Sequence, residues 1–153
     1  MSIDGMYQEV ILDHHKHPVG KGLRDPYEAQ VHHINTSCGD ELTVRVQRSE
    51  SGANVADISW DGQGCAISIA SMSILAEAVT NGTVAHAREL HESFLELMHG
   101  RGEVSADPEL GEAVAFSGVA QFPSRVKCAL LGWMAVADAL DQAEAESTQR
   151  STQ

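Results

Sequence analysis

The sequence of 153 residues contains few cysteines and few aromatic residues. It has three cysteines, and an odd number argues against the paired disulfide framework of a small secreted domain. Aromatic residues make up 5% of the chain, so a core must rest mainly on Ala, Val, Ile, Leu and Met. No run of about eighteen apolar residues occurs, which argues against a transmembrane helix.

Basic residues are also scarce, and this limits the kinds of partner that the protein can bind. Ten Lys and Arg stand against 22 Asp and Glu, giving a net charge of −12 with His neutral. Such a surface repels phosphate backbones and anionic lipids, so we expect no nucleic acid and no membrane partner. It suits a protein partner with a basic docking face. The first six residues lack the basic and apolar regions of a signal peptide, so we expect a cytoplasmic protein whose thiols stay reduced.

The order of the elements predicts an α+β fold. A stripe of apolar residues predicts a first helix over residues 3–16, which should end before His17-Pro18. Short β-branched segments then predict three strands joined by short turns, at residues 29–36, 42–48 and 55–60. Helical patterns follow at residues 65–79, after Thr83, and from Pro123 to about Ala145, with a short helical turn at 108–114. We therefore expect a three-stranded antiparallel sheet with helices packed on one face, forming one domain over 1–145 with a flexible tail at 146–153.

The eight histidines are predicted to be mostly ordinary surface residues. His14, His15 and His17 lie near the end of the first helix, where a positive charge suits the helix dipole, and we expect them to be exposed. His32 and His33 are adjacent on a strand and must point to opposite faces. The others show no shared short spacing and are also expected at the surface: His86, His91 and His99.

Each cysteine has neighbours that favour its thiolate. Cys38 lies in a polar turn two residues before Asp40, and Cys65 follows Gly64 at the expected start of a helix, where the dipole lowers a thiol pKa. Cys128 follows Lys127 near the start of the last helix. All four side chains fall at the ends of elements, and such ends can converge on one rim of a two-layer fold.

Three thiolates and a carboxylate form a four-coordinate donor set. Soft sulfur ligands favour Zn²⁺ or iron–sulfur chemistry over Mg²⁺ or Ca²⁺. Arg125 and Lys127 are candidates to compensate the negative charge of the site, and Asp61 is a candidate to orient a site group. An ion pair of Arg125 with Asp40, or with another surface carboxylate, is possible for this side chain.

The spacing alone does not decide between a site and a set of buried thiols. No C-x-x-C pair occurs, and a cysteine outside a disulfide often behaves as a small buried hydrophobic residue. This alternative is weaker for Cys38, because its turn is polar. If Asp40 is a ligand, the carboxylate exchanges more readily than a fourth thiolate, which favours a site that opens over a purely structural one.

These segments resemble the U-type iron–sulfur cluster assembly family, which has the IscU/NifU N-terminal fold, also described as SufE/IscU-like. The similarity spans about residues 3–142 and is carried by four segments: residues 7–18 with Asp13-His14-His15, residues 35–40, residues 61–65 with Ser68 and Ser71, and residues 125–129 with Trp133. The chain is most similar to the SufU branch. Lys127 stands where the scaffold branch has a histidine, and residues 100–122 match an insertion of the SufU branch.

The resemblance implies a Zn²⁺ ion held by Cys38, Asp40, Cys65 and Cys128. It also implies that a pyridoxal-phosphate cysteine desulfurase donates persulfide sulfur, that Cys38 accepts it after a partner histidine replaces Cys38 on the metal, and that a downstream iron–sulfur scaffold receives it. The leading hypothesis is thus a zinc-dependent, sulfurtransferase-like sulfur acceptor. One alternative is a scaffold on which a [2Fe–2S] cluster is assembled and transferred, with iron or a transient cluster at the same ligands. A second alternative is a zinc-stabilised interaction domain without sulfur chemistry.

Overall fold

The structure is a computed structural model that describes residues 5–37 and 39–151. The chain runs through α1 (Gly5–Lys16), β1 (Ala29–Asn35), β2 (Asp40–Arg48) and β3 (Val55–Gln63). It continues through α2 (Ala66–Val79), α3 (Val84–His99), a 3₁₀ segment (Pro108–Gln121) and α4 (Pro123–Ser151). The predicted α+β class and the antiparallel sheet are confirmed. Within the described residues, no helix is long and apolar enough to cross a membrane.

The sheet is an antiparallel meander in the order β1-β2-β3. Side chains of β2 alternate between buried and half-buried, so one face of the sheet turns toward the helices. The inward residues of β2 are Asp40, Leu42, Val44, Val46 and Arg48. β2 begins two residues earlier than predicted and β3 ends three residues later, so Asp40 is the first residue of a strand and pairs with Asn35.

Two helices form the layer nearest the sheet. α4 packs on β1 and β2, α2 packs beside α4, and α1 lies against α2. α2 and α4 approach closely because α4 has a glycine there: a Cβ on Gly132 would lie 2.7 Å from the Sδ atom of Met72. The sequence of α2 is apolar nearly all round because both of its sides are covered.

The core is organised around Trp133 of α4. Its ring stacks on Phe94 of α3 at 4.1 Å between centroids, and Phe94 meets Phe116 of the 3₁₀ segment edge to face. The indole Nε1 donates to Ser71 Oγ at 2.9 Å, and Ser71 donates to the carbonyl of Ala129 at 2.7 Å. Ser71 is therefore a satisfied polar link between α2 and α4 in an apolar interior.

The 3₁₀ segment is longer than predicted. The sequence predicted only a helical turn at 108–114, whereas the structure has fourteen residues, Pro108–Gln121, with a change of direction at Gly111 (φ 56°). Its apolar side chains pack on α3 and α4. The positive φ favours glycine, and Gly111 divides the segment into two helical pieces, of which the second lies mostly beyond the predicted turn.

The outer edge of β3 is occupied by two connecting segments. Trp60 N donates to Gly20 O at 3.0 Å, and Gly22 N donates to Trp60 O. At the other end of the strand, Val55 N donates to Gly82 O and Asn81 N donates to Val55 O, each at 2.8 Å. Val55 and Trp60 of β3 therefore have backbone partners on the outer edge of the strand.

The last helix is longer than predicted. α4 continues to Ser151, beyond the predicted end near Ala145. Near this end, the guanidinium of Arg48, 8% exposed, binds the Glu28 carboxylate at 3.1 Å and the carbonyl of Ala143 at 3.0 Å. This contact ties the end of β2 to the second half of α4. The division into a 1–145 domain and a 146–153 tail stays a prediction.

Candidate metal centre

Three of the four predicted ligands meet in the structure. Asp40 starts β2, Cys65 is the N-cap residue of α2, and Cys128 lies in the second turn of α4. One ligand atom from each lies within 4.8 Å of the other two. The fourth predicted ligand, Cys38, lies outside the described residues, two positions before Asp40. The site thus joins one strand and two helices.

Asp40 is brought to the site by strand alternation. Its position in β2 points inward, and its side chain is 1% exposed. The Oδ1 atom accepts a hydrogen bond from Cys65 N at 3.0 Å. Gly64 makes room for this carboxylate, since a Cβ at Gly64 would lie 2.7 Å from Asp40 Oδ1 and 2.6 Å from Ser68 Oγ.

The other oxygen of Asp40 shows that the site fits a cation. Asp40 Oδ2 is buried and has no hydrogen-bond partner among the described residues. A buried carboxylate oxygen without a partner is costly, and a bound cation removes the cost. With two sulfurs within reach, the donor set matches the ligands that Zn²⁺ takes in proteins.

The two described thiols have different surroundings. Cys65 is half-buried, and burial raises its pKa, but hydrogen bonds from the side chain and backbone of Ser68 lower the pKa by more. The charge of Asp40 raises the Cys65 pKa and a hydrogen bond with Cys128 lowers it, so the Cys65 pKa lies below its usual value. Cys128 is fully buried, and its Sγ accepts a weak hydrogen bond from Asn35 Nδ2 at 3.9 Å. Cys65 is the more accessible of the two.

The predicted supporting residues lie at exposed positions. Arg125 and Lys127 are exposed, and neither forms an ion pair with a carboxylate in the described part of the chain. Asp61 is opposite Thr43 in the register, so it lies on the outer face of the sheet, whereas Asp40 points inward. Asp61 Oδ1 accepts a hydrogen bond from Gly62 N.

Two polar residues of the site had no role in the residue-based argument. Ser68 lies three positions after Cys65, where the first turn of a helix brings it back to the thiol, with Oγ 3.5 Å from Sγ. Asn35 reaches Cys128 from the adjacent strand end. The spacing of Ser68 could have been read from the sequence, but the contact of Asn35 joins residues 93 apart.

The prediction for His14 was wrong. Its side chain is buried at 4% exposure, because α1 packs this position against α2 and the 3₁₀ segment. His15 and His17 are exposed as predicted. His91 is half-buried, and its Nε2 atom has no hydrogen-bond partner in the described residues.

Comparison with known proteins matches residues 6–129 to the family described as the NifU-like N-terminal domain. The chain belongs to this family. It is 35% identical to the zinc-dependent sulfurtransferase SufU of Bacillus subtilis, over 88% of this chain and 89% of that protein. The iron–sulfur cluster assembly scaffold protein IscU of Streptococcus pyogenes is 38% identical over 90% of this chain and 84% of that protein.

A solved structure supports the same assignment. It is a crystal structure from Fervidobacterium islandicum AW-1, described as a candidate iron–sulfur cluster assembly scaffold for the SUF system. It has a TM-score of 0.76 and 31% identity, covering 90% of this chain and 98% of that chain. The family membership therefore assigns the protein to iron–sulfur cluster assembly, and the sulfurtransferase and scaffold relatives are similarly close.

Proposed function

We propose that this protein is a zinc-dependent sulfur acceptor of iron–sulfur cluster assembly, which takes persulfide sulfur from a cysteine desulfurase and passes it to a downstream scaffold. The observation that carries the proposal is the buried Asp40 carboxylate beside two thiols, with one oxygen left without a partner. In this proposal Asp40, Cys65 and Cys128 hold Zn²⁺ together with Cys38. Bound zinc would keep the ligand thiols deprotonated near neutral pH.

Burial separates the proposed roles of the cysteines. Cys128 is fully buried and Cys65 is half-buried at a helix start, which suits both as anchoring ligands. Cys38 is assigned as the acceptor from the family resemblance. Its thiolate attacks the outer sulfur of the desulfurase persulfide, the S–S bond in the desulfurase breaks, and the desulfurase thiolate leaves. The persulfide is then on Cys38 and no net oxidation has occurred.

The test is a persulfide-transfer assay with a cysteine desulfurase, free cysteine and the zinc-loaded protein. Alkylation and mass mapping should place the extra sulfur on Cys38. Cys38→Ala should remove both this modification and the stimulation of desulfurase turnover, whereas Lys16→Gln, at an exposed position of α1, serves as a surface control. Undiminished stimulation by Cys38→Ala would sink the proposal. If no thiol acquires sulfur, the zinc-stabilised interaction domain is the better description.

The second candidate is a scaffold for a [2Fe–2S] cluster at the same ligands. It is favoured by the 38% identity to the Streptococcus relative named as a scaffold. Lys127 supports the sulfur acceptor instead, because the resemblance places a histidine at this position in scaffold members. Protein purified without oxygen distinguishes the two: stoichiometric zinc and a colourless solution support the acceptor, whereas a visible iron–sulfur spectrum supports the scaffold.

A further inference from the structure

A second cluster of metal-ligating side chains lies away from the cysteines. It consists of His14 of α1, Glu77 of α2 and Glu112 of the 3₁₀ segment. One ligand atom from each lies within 4.8 Å of the other two. The three residues are 63 and 35 positions apart in the sequence, so the fold alone brings them together.

His14 is held as a metal-binding imidazole is held in proteins. The ring is 4% exposed, and its Nδ1 atom lies 2.7 Å from the hydroxyl of Ser73, which is itself fully buried. Ser73 Oγ also accepts a hydrogen bond from Val19 N at 2.7 Å. These contacts fix the orientation of the ring and leave Nε2 pointing at Glu112, with 3.2 Å between Nε2 and Oε1.

The two carboxylates lie close to each other. A hydrogen bond with Glu112 raises the pKa of Glu77, and burial and the charge of Glu112 raise it further. His14 lowers the Glu77 pKa, whereas the nearby Asp13 raises it. Of the three groups whose charges act on Glu77, His14 alone can offset the repulsion between the carboxylates. A divalent cation bound between the carboxylates would remove that repulsion.

The cluster is open on one side. A groove of about 280 Å³ borders both carboxylates and is also lined by Glu109 and His86. Glu77 and Glu112 are exposed, so water molecules and an incoming ion can reach them. One side of the cluster is thus a fixed, buried nitrogen, and the other side is carboxylate oxygen facing solvent.

We propose that His14, Glu77 and Glu112 form a second metal site, which binds a divalent first-row transition ion such as Mn²⁺ or Fe²⁺. One imidazole nitrogen and two carboxylates are a harder donor set than the thiolates of the first centre, so this site is better suited than the first to Mn²⁺ or Fe²⁺. The open side leaves coordination positions for water. This inference does not depend on the proposed function, because it shares no residue with the cysteine centre.

A bound ion also fixes the tautomer of His14. Nε2 must be unprotonated to bind the ion, so Nδ1 carries the hydrogen and donates it to Ser73 Oγ. Without an ion, neutral His14 can hold its hydrogen on Nε2 and donate it to Glu112. The ring nitrogens therefore report whether the cluster is a metal site or only a hydrogen-bonded contact.

The experiment uses Mn²⁺ with protein whose cysteine centre is already loaded with zinc. The electron paramagnetic resonance signal of free Mn²⁺ is measured as protein is added, and its decrease should correspond to one bound ion per chain. Glu77→Gln and Glu112→Gln should each weaken binding by at least about tenfold, as loss of a ligand or its support does in such sites. Glu109→Gln is the control, because Glu109 lines the same groove outside the cluster.

The variants are first compared with the parent by circular dichroism. Both carboxylates are exposed, so substitution by the isosteric amide leaves the fold intact. Zn²⁺ titration of the same protein, followed by NMR of the ring nitrogens, should move the His14 hydrogen to Nδ1. Absence of stoichiometric Mn²⁺ binding up to millimolar concentration overturns the proposal. So does binding that survives either Glu→Gln substitution or that is lost equally in Glu109→Gln.

Discussion

Gly64→Ala is the sharpest test of the cysteine centre, because it adds a single methyl group beside Asp40. The new Cβ would lie 2.7 Å from Asp40 Oδ1, 3.0 Å from Asp40 Cγ and 2.6 Å from Ser68 Oγ. Contacts this short are not tolerated, so the carboxylate must move. The backbone conformation of Gly64 is not in the left-handed region, so crowding is the dominant effect of the substitution.

The magnitude follows from the hydrogen bond that the movement breaks. Asp40 Oδ1 accepts from Cys65 N at 3.0 Å, and a hydrogen bond to a charged group contributes about 1.5–3 kcal/mol. Since about 1.4 kcal/mol corresponds to a tenfold change in binding, displacement of the carboxylate should weaken zinc binding by roughly 10- to 100-fold. The effect requires that Asp40 is a ligand, as we propose.

Zinc affinity is measured by competition with a chromophoric chelator. Gly82→Ala is the control, because its Cβ would meet only the carbonyl of Val79 at an ordinary 3.4 Å. Circular dichroism of the metal-free proteins checks that both variants fold. If Gly64→Ala folds and binds zinc within about twofold of the parent, which is under 0.5 kcal/mol, Asp40 is not held as described.

Three further predictions concern stability. Ser71→Ala leaves the buried Trp133 indole N–H without its acceptor, and should lower the free energy of unfolding by about 1–3 kcal/mol in urea titrations; a loss under about 0.5 kcal/mol would contradict the link. Arg48→Met leaves the Glu28 carboxylate without its ion-pair partner and should lower the free energy of unfolding by about 3 kcal/mol. Adding Glu28→Gln should restore part of this free energy, and no recovery in the double variant would contradict the pairing. Burial lowers the pKa of His91, and the charge of Arg88 lowers it further. Near and below about pH 6.5 the unfolded chain therefore binds more protons at this residue than the folded chain does, so the free energy of unfolding should fall on acidification. His91→Leu should reduce this fall between about pH 7.5 and 5.5, and an NMR titration placing the His91 pKa above 6.5 would refute the sign.

The sheet and the main helices follow from local patterns. Alternation placed the three strands, and the apolar run after Gly64 placed α2, because burial imposes these periods directly. The predicted strand ends were wrong where polar residues continue a strand. Asp40 and Glu41 belong to β2 because both pair with β1 and Glu41 also pairs with β3, and a short polar segment carries no sequence pattern that predicts such pairing.

The site was predictable as chemistry but not as geometry. The polar turn before Asp40, and the glycine before Cys65, indicated thiols that favour the charged form. The convergence of Asp40, Cys65 and Cys128 depends on how α4 packs on the sheet, which no local pattern specifies. His14 shows the same limit. Its burial depends on Ser73, 59 residues away, and on Glu112, 98 residues away.

The covered outer edge of β3 bears on how this protein avoids aggregation. Another chain can extend a sheet only through strand backbone groups that lack partners. On β3 the outward backbone groups of Val55 and Trp60 are already bonded to Gly20, Gly22, Asn81 and Gly82. A second chain would first have to displace both connecting segments and break four backbone hydrogen bonds. The loop after α1 and the turn after α2 thus oppose edge-to-edge association, because they occupy backbone groups with which another strand would pair.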